Sequence, residues 1–173
     1  SAQIAFAIGA HYADKEDWDQ ARKRLSSAMN LIDKSANLDV QIQAHALLGR
    51  VFARINNING ATPEYNKVRD RWKDPAAAVK KIEASGGDER RIGKALTAVG
   101  EALFFFAEQK RKETEKVRFP EYKGNGQRDD VMKHIGTKVG DWVKKKRAAI
   151  EETDKEYQKI IKLEPVPPPQ WVI

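Results

Sequence analysis

A chain of 173 residues is long enough to bury one continuous core without staples, and 40% hydrophobic against 33% charged residues excludes a disordered or collagen-like chain. The absence of cysteine excludes disulfides, thiol catalysis and sulfur-ligated metals. A formal charge of +7 favours acidic partners, nucleic acid and anionic lipid among them, by long-range attraction that specifies no site. No apolar run approaches the roughly 18 to 20 residues that cross a bilayer. The longest candidate is Ala102–Ala107, so a soluble protein is expected.

Ser1–Ile4 carry no basic leader and already sit in a helical pattern, so the chain reads as part of a longer protein. Residues 3–33 predict two helices broken near His11–Asp17: Ile4, Phe6, Ile8 and Tyr12 precede a polar stretch, and Trp18, Ala21, Leu25, Ala28, Met29 and Ile32 recur at helical spacing. A second apolar series from Leu38 to Ile55 ends at the turn-favouring Asn56–Gly60. Thr62-Pro63-Glu64 then reads as a cap opening a helix with Tyr65, Val68 and Trp72. Asp74-Pro75 starts a short helix through Ile82, closed by Ser85-Gly86-Gly87. Asp88 caps a long helix over 89–117 with Ile92, Leu96, Val99, Leu103, Phe106 and Ala107 on one face. Phe119–Gly126 is a loop, and 128–162 a final helical stretch stopped by Pro165 and Pro167–Pro169. No strand is needed, so the fold class is all-α.

Helix hairpins in series resemble the tetratricopeptide repeat. Ile8-Gly9 with Tyr12, then Ala21, Leu25 and Ala28, is similar to one full repeat. Leu48-Gly49 with Phe52 and Val99-Gly100 with Leu103 resemble the first helices of two more, while Tyr157, Ile160, Leu163 and Pro165 resemble a repeat's end. The intervals of 40 and 51 residues between these glycines exceed the roughly 34 of an uninterrupted array, so insertions are expected at Asn56–Thr62 and Pro75–Gly87. The resemblance implies an antiparallel helix-hairpin solenoid over 1–164, with 165–173 a Pro-rich strap or linker whose Trp171-Val172-Ile173 is apolar enough to dock. From Leu103 to Trp171, the Phe-Phe-Phe-Ala-Glu-Gln-Lys-Arg-Lys, Phe-Pro-Glu-Tyr-Lys-Gly, Asp-Trp-Val-Lys-Lys-Lys-Arg and Pro-Val-Pro-Pro-Pro-Gln-Trp segments also resemble tetratricopeptide proteins of the myxobacterial gliding-motility machinery. That likeness implies a periplasmic or envelope-associated assembly component, with the cytoplasm left open.

Stacked first helices make a concave face suited to an elongated peptide or partner helix. By register with the repeat, that face carries Phe6, Ala10 and Ala13, then Gln43, Arg50 and Arg54, then Lys94, Thr97, Glu101, Phe104 and Phe105. Phe104 and Phe105 read equally well as core. The asparagines of the family's carboxylate clamp are absent from the matching positions. The expected function is a non-enzymatic protein–protein scaffold with no cofactor, metal or small-molecule substrate.

Two other function classes stand beside it. Lys144-Lys145-Lys146-Arg147 and Lys110-Arg111-Lys112 would serve a nucleic-acid or anionic-membrane adaptor, although interleaved glutamates favour a mixed, solvated face. An enzyme would need a pocket of convergent polar groups that no motif announces. His11, His45 and His134 lie far apart without metal-ligand spacing and read as surface or packing histidines.

Overall fold

The computed structural model describes residues 1–168; the expected docking of Trp171, Val172 and Ile173 lies outside the described residues. Among these residues the chain is helical and has no strand. The helices are α1 (Ala2–Asp14), α2 (Trp18–Ser35), α3 (Leu38–Arg54), α4 (Ile58–Arg71), α5 (Pro75–Ala84), α6 (Glu89–Glu115), α7 (Arg128–His134) and α8 (Gly140–Ile161), with a π-helical turn over Ile135–Val139. They form two compact units: Ser1–Leu103 together with the described residues from Ile160 onward, and Phe104–Lys159.

In the first unit α1 packs on α2, α2 on α3, and α3 on α4, while α1 also touches α3. Glycines permit the close approaches. A Cβ added at Gly9 would stand 2.4 Å from Leu25 Cδ2, and one at Gly49 would stand 3.0 Å from the Tyr65 ring. Gly100 is buried within α6. Ala21, Leu25 and Ile32 of α2, Ile42 and Val51 of α3 and Val68 of α4 are almost fully excluded from water.

The two hairpins turn in the same way, forty residues apart. Glu16 and Asn56 both adopt positive φ, at 57° and 58°. Asp17 and Asn57 each start the next helix at once, accepting a hydrogen bond from the backbone N–H three residues on, at 3.1 and 2.8 Å. Their own N–H groups donate to Tyr12 and Phe52 carbonyls at 2.9 and 2.8 Å. The insertion expected at Asn56–Thr62 is therefore not there. Asn57 rather than Thr62 caps α4, and the helix begins at Ile58 with Pro63 inside it, on its exposed side. Gly60, which reads as a turn residue, is a helix-contact glycine: its Cβ would meet the Phe52 ring at 2.7 Å.

Residues 75–87, the second place where an insertion is expected, form the short helix α5 and its C-terminal turn. Asp74 Oδ1 accepts from Ala77 N at 3.0 Å and Pro75 takes the first helical position. Gly86 (φ 76°) donates to the Glu83 carbonyl and Gly87 to that of Ile82, both at 2.9 Å, closing α5 in a Schellman motif. Asp88 caps α6 through Arg91 N at 2.9 Å. The third glycine match differs from the other two, because α6 continues to Glu115 instead of turning seven residues after Gly100. Two arginine–carboxylate pairs, Asp39–Arg91 and Arg50–Glu101, join α3 to α6 in the same chain order, so these helices run parallel. Beyond α8, Leu163 is buried and the Glu164 carbonyl accepts from Trp72 Nε1 at 3.1 Å, holding the start of the C-terminal segment on this unit.

In the second unit the C-terminal part of α6 packs on α8. Thr114 and Thr153 hydroxyls meet at 2.8 Å, Lys146 Nζ donates to the Thr114 carbonyl at 2.7 Å, and Tyr157 OH donates to Glu108. The expected single helix over 128–162 is interrupted by the π turn, at a segment containing Gly136 with Gly140 immediately after it.

Candidate functional site

Three helices of the first unit each present one stripe at helical spacing to a common groove of about 300 Å³. Phe6, Ala10 and Asp14 come from α1, Gln43, Ala46, Leu47 and Arg50 from α3, and Lys94, Thr97, Ala98 and Glu101 from α6. Residues four apart on a helix share a face, so 6, 10 and 14 form one row of α1, next to its packing contact with α2 at Gly9. Small side chains form the floor: Ala46 and Ala98 are buried, as is Leu47, and half-buried Phe6 forms a wall.

One polar cluster organises the groove. Glu101 is only 7% exposed. Its Oε1 accepts from Arg50 Nε at 2.8 Å and from Tyr65 OH at 2.9 Å, while Oε2 pairs with Arg50 Nη2. A buried carboxylate persists only when its lone pairs are engaged, and a bidentate guanidinium with a phenol engages them. The hydrogen bond that Arg50 donates to Glu101 raises the Arg50 pKa, against the opposing effect of burial, and the negative charges of Glu101 and Asp14 add to the rise. Burial and the neighbouring Glu101 charge push the Tyr65 hydroxyl far above its ordinary pKa, so it stays a neutral donor. Farther along, Arg91 grips buried Asp39 through Nε at 2.9 Å and Nη2 at 2.5 Å. Lys94 remains exposed at the groove edge.

Of the residues expected on the concave face, the structure gathers Phe6, Ala10, Gln43, Arg50, Lys94, Thr97 and Glu101 at this groove and adds Asp14, Ala46, Leu47 and Ala98. Arg50 is engaged by Glu101 rather than held free. Ala13 is buried and Arg54 lies over the Trp18 ring, 5.8 Å from its centroid; neither lines the groove. Phe104 and Phe105 belong to the second unit. Phe105 is 8% exposed, and half-buried Phe104 sits edge-on to Tyr157 with centroids 6.3 Å apart. The core alternative describes Phe105, and neither residue lines the groove.

The histidine readings missed one network. His45 is fully buried, with Nδ1 2.6 Å from Glu64 Oε2 and Nε2 2.8 Å from Asp33 Oδ1. Arg71 Nη2 reaches Asp33 Oδ1 at 2.7 Å and Lys67 Nζ reaches Glu64 Oε1 at 2.9 Å. Burial raises the Glu64 pKa, but hydrogen bonds from His45 and Lys67 outweigh it and hold the carboxyl below the usual range. The cluster ties α2, α3 and α4 together. A polar residue inside the run Ile42–Val51 was its signal, since a buried imidazole requires partners.

In the basic clusters, Lys110 and Arg111 are ion-paired with Glu113, Glu108 and Glu115, as the mixed-face expectation has it. No protein-family model, curated protein or solved structure matches this chain.

Proposed function

We propose that the first unit is a tetratricopeptide-like helical array whose groove between α1, α3 and α6 binds an elongated segment of a partner protein, and that the chain acts as a scaffold rather than an enzyme. The observation that supports this most is the convergence of three helical stripes on one trough with a floor of alanines and a rim of Lys94, Arg50 and Asp14. Such a trough admits a backbone closely and offers charges to orient it. The forty-residue recurrence of glycine, turn and cap in both hairpins supports the repeat reading. The resemblance of residues 103–171 to gliding-motility proteins adds a periplasmic, envelope-associated assembly as the setting.

Thr97→Trp tests the proposal, because the indole would fill the trough while Glu101, Arg50 and Tyr65 keep their own side chains. A partner that co-purifies with the wild type should bind this variant at least about tenfold more weakly, as expected for losing a central contact. Unchanged affinity at unchanged helicity would overturn the assignment. Salt separates the alternative of a basic adaptor for nucleic acid or anionic membrane, since phosphate-driven binding falls steeply between low and moderate ionic strength.

A further inference from the structure

The second unit contains a separate cleft of about 390 Å³ between the loop 120–124 and one face of the helical stretch 130–138. Lys123, Lys133, His134, Thr137 and Lys138 line it. Local geometry brings two of the lysines together. In an α-helix, residues five apart diverge by about 140° around the axis. The π turn over Ile135–Val139, in which Gly140 N donates to the carbonyl of Ile135 five residues back, widens the helix there and returns Lys138 to the side of Lys133.

Two like charges on one face of a helix repel, and an anion bound between them relieves that repulsion. The ion pairs of this unit engage Lys110, Arg111, Lys123, Lys155 and Lys159, and Lys133 and Lys138 take part in none among the described residues. Two acids share the cleft with three lysines: Asp130 Oδ2 accepts from Tyr122 OH at 2.8 Å, and Glu121 lies 3.6 Å from Lys123, which leaves Lys133 and Lys138 as the cleft cations without an ion-pair partner among the described residues. The loop is seated firmly, because Tyr122 OH also accepts from Gly126 N at 2.9 Å. The chain passes close beneath this pair, and a Cβ at Gly124 would fall 1.9 Å from Asp130 Oδ2. His134 Nε2, at the cleft wall, is shielded from water and has no hydrogen-bond partner among the described residues.

We propose that this cleft binds a phosphate group, with Lys133 and Lys138 as the paired cations and Lys123 approaching from the loop. A phosphate dianion matches the site better than a single carboxylate, because it offers three acceptor oxygens and the charge to balance two lysines.

The test is a titration of the isotope-labelled full chain with inorganic phosphate at constant ionic strength, followed by amide chemical shifts. The Gly124 signal and those of residues 133–138 should move together and saturate. K133Q/K138Q should weaken binding at least tenfold, whereas K144Q/K145Q, which removes equal charge from exposed positions outside the cleft, should leave it unchanged. Equal weakening by both pairs, or shifts that never saturate, would overturn the proposal. Vesicles of phosphatidylglycerol in phosphatidylcholine distinguish the source. Co-sedimentation that depends on Lys133 and Lys138 identifies a lipid headgroup, and saturable phosphate binding without vesicle retention identifies a soluble phosphate compound.

Discussion

Gly9→Ala and Gly93→Ala are the same chemical change in two helices, and the packing gives them opposite signs. Alanine has the higher helix propensity by about 1 kcal/mol, which favours both variants. At Gly93 nothing lies within 4 Å of an added Cβ, so that gain stands. At Gly9 the new carbon falls 2.4 Å from Leu25 Cδ2 and 2.5 Å from Leu25 Cγ, and Leu25 is fully buried. Carbon contacts are comfortable near 3.5–4.0 Å, so α1 and α2 must separate by roughly 1 Å or Leu25 must leave its rotamer. Overpacking of this kind costs about 1–3 kcal/mol, which leaves Gly9→Ala destabilised by about 1 kcal/mol net. The two variants should therefore differ by about 2 kcal/mol, or about 1 M in urea midpoint for a slope near 2 kcal/mol/M. Urea unfolding followed by circular dichroism measures this. Equal stabilisation of both variants would refute the idea that Gly9 exists to let the helices meet.

His45→Leu leaves Asp33 and Glu64 with only Arg71 and Lys67, and should cost about 2 kcal/mol in the same assay. Because the folded state holds the Glu64 pKa below its ordinary 4.5, the stability from Glu64 is complete above that pH and is lost as pH falls through the lower folded value. The gap between wild type and Glu64→Gln should thus shrink between pH 7 and pH 3; a constant gap would contradict it. Arg50→Ala strips buried Glu101 of its bidentate partner and should destabilise by about 3 kcal/mol, whereas Arg54→Ala, which loses only an exposed stacking contact on Trp18, should cost under about 1 kcal/mol. Measured side by side by thermal unfolding, equal losses would refute the assigned roles.

The helices were legible because their signals are local. Asp17, Asp74 and Asp88 precede apolar periods as caps, Gly86-Gly87 closes α5, and Gly9 and Gly49 sit within apolar series where two helices touch. Asn56–Gly60 marks the end of α3 as expected, but the insertion expected from Asn56 onward was a misreading, because the four turn-favouring residues in five hide different duties. Asn56 takes the left-handed position, Asn57 caps, and Gly60 packs on Phe52, a distinction that only the partner helix reveals. Groove residues followed from helical register at Phe6, Ala10, Gln43, Arg50, Lys94, Thr97 and Glu101, and failed at Ala13, which is buried, at Arg54, which lies over Trp18, and at Phe104 and Phe105, where α6 runs on past the point at which α1 and α3 end. The pairings of Arg50 with Glu101 and of His45 with Asp33 and Glu64 span 51, 12 and 19 residues, and no local pattern announces contacts of that reach.

Site-specific photo-crosslinking in cells of the native host tests the groove most directly. A photoreactive residue at Thr97 or Gln43 should capture one and the same protein. The same probe at exposed Lys23 of α2 or Lys80 of α5, neither of which lines the groove, should not. Capture at Lys23 and Lys80 with none at Thr97 and Gln43 would contradict the account.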